Sequence, residues 1–131
     1  MNKPRELLLD TGCLIDIYHG RERIRPFFDD ILNGMIRPHI SVITEAELWR
    51  GLRAGEVQRH ELLLNQFAIL FLRSDVARLA GSWMQLYQAS GLGWMDALIV
   101  ATAKTARLPV LTRDKKLAAV LSAEVHFDVY G

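Results

Sequence analysis

Leu7-Leu8-Leu9-Asp10-Thr11-Gly12 is the stretch whose reading decides the fold. Three consecutive leucines read as a strand buried on both faces, the kind found in parallel sheets. Asp10 ends the run, Thr11-Gly12 makes the turn, and Cys13 to His19 reads as a short helix stopped by Gly20. The same grammar recurs downstream. Pro38-His39-Ile40-Ser41-Val42-Ile43 leads into Thr44 and Glu47, and Pro109-Val110-Leu111-Thr112 leads into Arg113-Asp114. Asp96 opens an apolar helix, Ala97-Leu98-Ile99-Val100-Ala101-Thr102-Ala103.

Working outward, apolar spacing predicts strands over 6–10, 37–43, 68–72, 108–112 and 125–129. It predicts helices over 13–19, 24–32, 44–52, 57–67, 75–89, 96–106 and 115–121. Pro38 is tolerable at the start of its strand, where the ladder needs no donor. Thr44 and Glu47 have capping-box spacing, and Ser74 is a favoured N-cap. Strands alternating with helices imply an α/β fold, a three-layer α/β/α sandwich on a mostly parallel central sheet. No linker, internal repeat or low-complexity tract divides the chain, so residues 1–131 are expected to form a single domain.

Half of the residues are hydrophobic and 24% are charged, a balance suited to a soluble globular protein. No apolar run approaches the roughly 20 residues that span a bilayer, and the first residues lack a signal-peptide pattern. The one cysteine, Cys13, excludes an internal disulfide framework. These features point to a cytoplasmic protein without a membrane partner. A net charge of +1 argues against holding long nucleic acid by its phosphates alone, so any such contact should be short and local.

In a parallel sheet the carboxyl ends of the strands and the starts of the following helices share one edge, where ligands bind. Asp10, Glu47, Asp96 and Asp114 would all arrive there. Each also has an ordinary structural explanation. Asp10 and Asp114 suit N-caps, Glu47 can close a capping box on Thr44, and Asp96 suits the positive end of a helix dipole. Asp96 fits its explanation least well, because its helix is apolar on nearly every side and its charge should be partly buried. None of these explanations accounts for the joint placement. Clustered carboxylates repel unless a cation joins them, and hard oxygen ligands favour Mg2+, with Mn2+ possible. Thr112 and Arg113 add a hydroxyl and a guanidinium at the same edge.

At these residues the sequence resembles the PIN domain family, most closely its VapC-type toxin branch. The matching stretches are Leu8-Leu9-Asp10-Thr11 with Leu14-Ile15-Asp16, Ser41 to Leu48 with Gly51, Asp96 to Ala103, and Leu108 to Asp114. They run in order over residues 7–128. The resemblance implies a magnesium-dependent endoribonuclease whose acidic quartet is Asp10, Glu47, Asp96 and Asp114. Asp10 and Asp96 would hold the metal, with Asp114 and Glu47 as direct or water-bridged ligands. It further implies an RNA substrate, a cognate antitoxin that blocks the site, and a homodimer. One departure is Gly12, where the family usually carries Asn or Ser.

Two rivals are weaker. A haloacid-dehalogenase-type phosphatase needs a second Asp two residues after the first, and that position is Gly12. A non-catalytic PIN-like module that binds RNA or protein leaves the quartet unexplained, since idle clustered carboxylates only cost stability. His19, His39, His60 and His126 lack metal-ligand spacing, and no glycine-rich phosphate loop is present. Cys13 reads as buried packing. Arg113 and Lys115 are placed to meet phosphates, although solvated surface charge is the plainer reading. Trp49, Trp83 and Trp94 suit the core or an interface between chains.

Overall fold

A computed structural model describes residues 3–131. Five strands, β1 (Arg5–Leu9), β2 (Ile36–Ser41), β3 (Ala68–Leu70), β4 (Val110–Thr112) and β5 (Phe127–Val129), form one sheet in the order β3-β2-β1-β4-β5. Every pairing is parallel. Seven α-helices connect them: α1 (Thr11–Tyr18), α2 (Arg25–Leu32), α3 (Val42–Arg50), α4 (Val57–Leu64), α5 (Ser74–Leu86), α6 (Trp94–Thr105) and α7 (Lys115–Val120). The α/β sandwich expected from the alternation is therefore the fold.

The period of two along β1 divides the core into two layers. Leu7 and Leu9 pack with Cys13, Leu14, Ile31, Leu48 and Leu64 of α1–α4 on one face. Leu8 packs with Val76, Trp83, Ile99, Val100 and Leu117 of α5–α7 on the other. The second half of central β1 is covered on both sides, which is why Leu7, Leu8 and Leu9 are consecutive leucines rather than alternating residues. The chain adds β2 and β3 on one side of β1, then crosses to place β4 and β5 on the other. The reversal falls between β1 and β4, the position where open α/β sheets leave a crevice.

Three local expectations are corrected. Strand β2 begins at Ile36, so Pro38 is its third residue. Pairing with β3 starts only at His39, so Pro38 precedes that ladder. Helix α3 begins at Val42 because Ser41 Oγ accepts from Ile43 N (3.0 Å), capping the helix three residues before Thr44. This turns β-branched Val42 and Ile43 helical and removes Thr44 from the capping role. Helix α5 starts at Ser74 itself, with no side-chain cap from Arg73, and Asp75 Oδ1 takes the Val76 amide at 2.9 Å.

Candidate active site

Asp10 lies just past β1 as the N-cap of α1, where its Oδ1 accepts from Thr11 N at 2.8 Å. Its Oδ2 accepts from Thr112 Oγ1 at 2.8 Å, tying the end of β1 to the end of β4. The Thr112 hydroxyl oxygen also accepts from Asp114 N (3.0 Å). One buried threonine thus fixes two of the four acids. Asp114 caps α7 through Oδ1 and Leu117 N at 2.9 Å. For Asp10 and Asp114 the capping role and the site role coexist, since each carboxylate has more lone pairs than its cap uses.

Glu47 does not close a capping box. It lies in the second turn of α3, and its Oε1 accepts from Thr11 Oγ1 at 2.7 Å. Thr11 and buried Thr44 also share a hydroxyl contact of 2.9 Å. Thr44 therefore supports the Thr11 hydroxyl that orients Glu47. Asp96 lies in the first turn of α6, whose buried face (Ala97, Ile99, Val100, Ala101) anchors it in the second core layer.

The four acids share one electrostatic field. Burial, then the charges of Asp10, Asp114 and Glu47, push the Asp96 carboxyl up to about 6. Asp10 is also raised, by burial first and by Asp114 and Glu47, against the hydrogen bonds from Thr112 and Thr11. Among the described residues no Lys, Arg or His forms an ion pair with any of the four. No group of three or more His, Cys, Asp or Glu among the described residues is arranged to hold a metal ion. The arrangement is open and oxygen-only, which fits a cation that keeps much of its water shell and takes one or two carboxylates, as Mg2+ does.

These shifts give a pH signature. An acid whose folded value is raised makes the protein most stable below the ordinary carboxylate range. That stability is lost as pH rises through the folded value, because the folded state holds a proton the unfolded chain has released. Melting temperatures measured in chelator are expected to fall from pH 4.5 to 7 through this contribution, and less steeply in Asp96→Asn. Equal slopes in the two proteins would show that Asp96 feels no such field.

Two clefts adjoin the carboxylates. One of about 370 Å3 runs past Glu47 and is lined by Tyr18, Arg50, Leu52, Arg59 and His60. Another of about 230 Å3 is lined by Asp96, Asp114, Gly91 and Lys116. Cys13 is buried, donates to Leu111 O at 3.2 Å, and has its thiol pushed up to about 12 by burial, so it is inert packing.

Sequence reasoning placed Asp16 in a family-like stretch but gave it no role, and did not join it to Arg113. Asp16 of α1 is fully buried and accepts from Arg23 Nε (2.9 Å), Arg23 Nη2 (3.0 Å), Tyr130 Oη (2.8 Å) and Arg113 Nη1 (2.5 Å). Burial alone would raise its carboxyl. The hydrogen bonds from Arg23 and Tyr130 and the charges of Arg113 and Arg23 instead carry it below the usual range. The available signal was an acid inside the otherwise apolar helix Cys13-Leu14-Ile15-Asp16-Ile17.

A doubly wound parallel sheet with carboxylates gathered at its crossover crevice defines a class of α/β proteins with an acidic centre. Within that class the chain belongs to the PIN domain family, whose model matches residues 7–121. The fold is similar to a chain of a toxin–antitoxin complex from Klebsiella pneumoniae at 32% identity and a TM-score of 0.72, covering 86% of this chain and 90% of that one. It is similar to a chain of FitAcB from Neisseria gonorrhoeae at 28% identity and a TM-score of 0.73, covering 92% and 95%. It also resembles a chain of DNA-bound VapBC from Salmonella typhimurium at 25% identity and a TM-score of 0.77, covering 95% and 98%. No match is found among curated proteins.

Proposed function

We propose that this chain is a magnesium-dependent endoribonuclease and the toxin of a type II toxin–antitoxin pair. The observation that carries the reading is the mutual charge influence of Asp10, Glu47, Asp96 and Asp114, none of which forms an ion pair with a Lys, Arg or His among the described residues. The similar Klebsiella chain, part of a toxin–antitoxin complex, supports the toxin role.

Asp10 and Asp96 would hold Mg2+, with Mn2+ as a substitute, and Asp114 and Glu47 would act directly or through water. When bound, the cation supplies an acidified water as nucleophile and neutralises charge on the phosphate oxygens. The residues of the chain do the positioning. Thr112 and the Thr11 amide fix both oxygens of Asp10, and the Thr11 hydroxyl fixes one oxygen of Glu47. Arg50 and Arg59 in one cleft and Lys116 in the other lie along a path for RNA beside the acids. Guanidinium and ammonium groups suit backbone phosphates, so the short, local contact implied by the small net charge is retained.

A cognate antitoxin and a second copy of the chain are the proposed protein partners. Phe71, Leu86, Trp94 and Met95 leave apolar surface exposed that such partners could cover. No helix among the described residues is long and apolar enough to cross a membrane. A cytoplasmic location is proposed from RNA as the substrate.

Incubation with a mixed RNA pool tests the activity. Discrete fragments are expected with Mg2+ and none in excess EDTA, with recovery on adding Mg2+ back. Equal cleavage in chelator would reject the metal mechanism, and no cleavage under any metal would favour a binding module.

A further inference from the structure

We propose that Arg113 grips an RNA phosphate beside the acidic centre, and that buried Asp16 and side-chain-free Gly12 form its seat. This rests on the ribonuclease reading above and names a substrate-contacting residue outside the quartet.

Charge balance is the first support. Asp16 carries one negative charge and is already met by Arg23 through two hydrogen bonds. Tyr130 supplies a third donor. Arg113 is therefore not needed to neutralise it, and two guanidiniums on one carboxylate leave a surplus of one positive charge. Only Nη1 of Arg113 is committed, to Asp16. Its Nε and Nη2 have no acceptor among the described residues, and the side chain is one-third exposed. A guanidinium held by one nitrogen offers its remaining donors as a fork suited to phosphate oxygens.

Position is the second. Arg113 lies between Thr112, which holds Asp10, and Asp114, itself a member of the quartet. Its Nε lies over the first turn of α1. A Cβ built on Gly12 would stand 2.9 Å from Nε and 3.5 Å from Cζ. Gly12 is not among the glycines with positive φ, so its backbone does not require glycine. A glycine in a helix is a liability relative to alanine. At position 12 a methyl would press on the guanidinium end of Arg113, which would have to shift.

Chemical need is the third. A phosphodiester approaching four carboxylates is repelled by them, and Arg113 pairs with none of the four. A fixed cation at the rim, pre-ordered by a buried anchor, counters that repulsion without occupying the metal position.

The test measures binding of a short single-stranded RNA to Asp96→Asn protein across a salt series, with cleavage kinetics in the otherwise unaltered protein. Arg113→Ala is expected to weaken binding about tenfold and to lower the log–log salt slope by about 0.7. KM should rise by a similar factor while kcat changes little. Gly12→Ala, which keeps the charge but displaces it, should move KM in the same direction. Arg113→Lys should recover part of the affinity and guards against a folding defect in the alanine variant. Unchanged RNA affinity and salt slope in Arg113→Ala, with the parent still cutting RNA, would overturn this assignment and leave the ribonuclease reading standing. A change confined to Mg2+ affinity would also overturn it, by showing that the guanidinium serves the carboxylates. A parent protein that neither binds nor cuts RNA would overturn both.

Discussion

Asp96→Asn is expected to lower RNA cleavage by about a thousandfold or more while the melting temperature holds or rises at pH 7. Both halves follow from the same environment. Asp96 is the acid pushed to about 6 by burial and by three neighbouring carboxylates. In the metal-free protein its charge is a cost, and an isosteric amide removes that cost. On the proposed mechanism the same charge is part of what attracts the cation. Asp10→Asn should lose activity to a similar extent. There the new amide also meets the Thr112 hydroxyl and the Thr11 amide, both of which now donate to Asp10. Cleavage of the RNA pool and circular dichroism on the same samples separate activity from folding. Full activity in Asp96→Asn would end the carboxylate-centre account.

Asp16→Ala is expected to be the most destabilising single change at a polar position, by about 3–5 kcal/mol. It would strip the partner from two guanidiniums and from the Tyr130 hydroxyl at once. In a chain of this length that corresponds to a fall in melting temperature of roughly 10 °C or more. Asp16→Asn, which keeps some acceptor capacity, should lose less. The pH dependence runs opposite to that of Asp96. The Asp16 carboxyl is held below the ordinary range, so its contribution is present above the unfolded value and is lost as pH falls. The Arg5–Asp128 pair provides the control. It is also short, at 2.6 Å, but Arg5 is 58% exposed, and breaking it should cost about 0–1 kcal/mol. A melting point for Asp16→Ala equal to that of the control would show that the buried network carries no stability.

All five strands and seven helices were legible because their signals are local. The leucine run of β1, the apolar α6 and the glycines that end helices each act within a few residues. Element ends were less legible because tertiary contacts set them. Ser41 capped α3 early, and Thr44 was drawn inward by Thr11, 33 residues before it in the chain. The four acids were visible as a set because Asp10 and Asp114 end apolar strands, Glu47 follows one within a helix, and Asp96 heads an apolar helix. The support beneath them was not. The Asp10–Thr112 and Asp16–Tyr130 bonds span 102 and 114 residues, and no spacing rule reaches that far. Arg113 was read as a solvated surface charge with a possible phosphate role, and only the three-dimensional arrangement reveals that a buried aspartate holds it.

The Asp10–Thr112 bridge carries a consequence for a protein proposed to be harmful when free. During synthesis Asp10 emerges from the ribosome long before Thr112, Asp114 and Tyr130. A half-made chain lacks the strand that completes the crevice, the acid that caps α7 and the anchor of the Asp16 group. On the proposed reading, the acidic centre is completed only late in translation, when the last strands emerge.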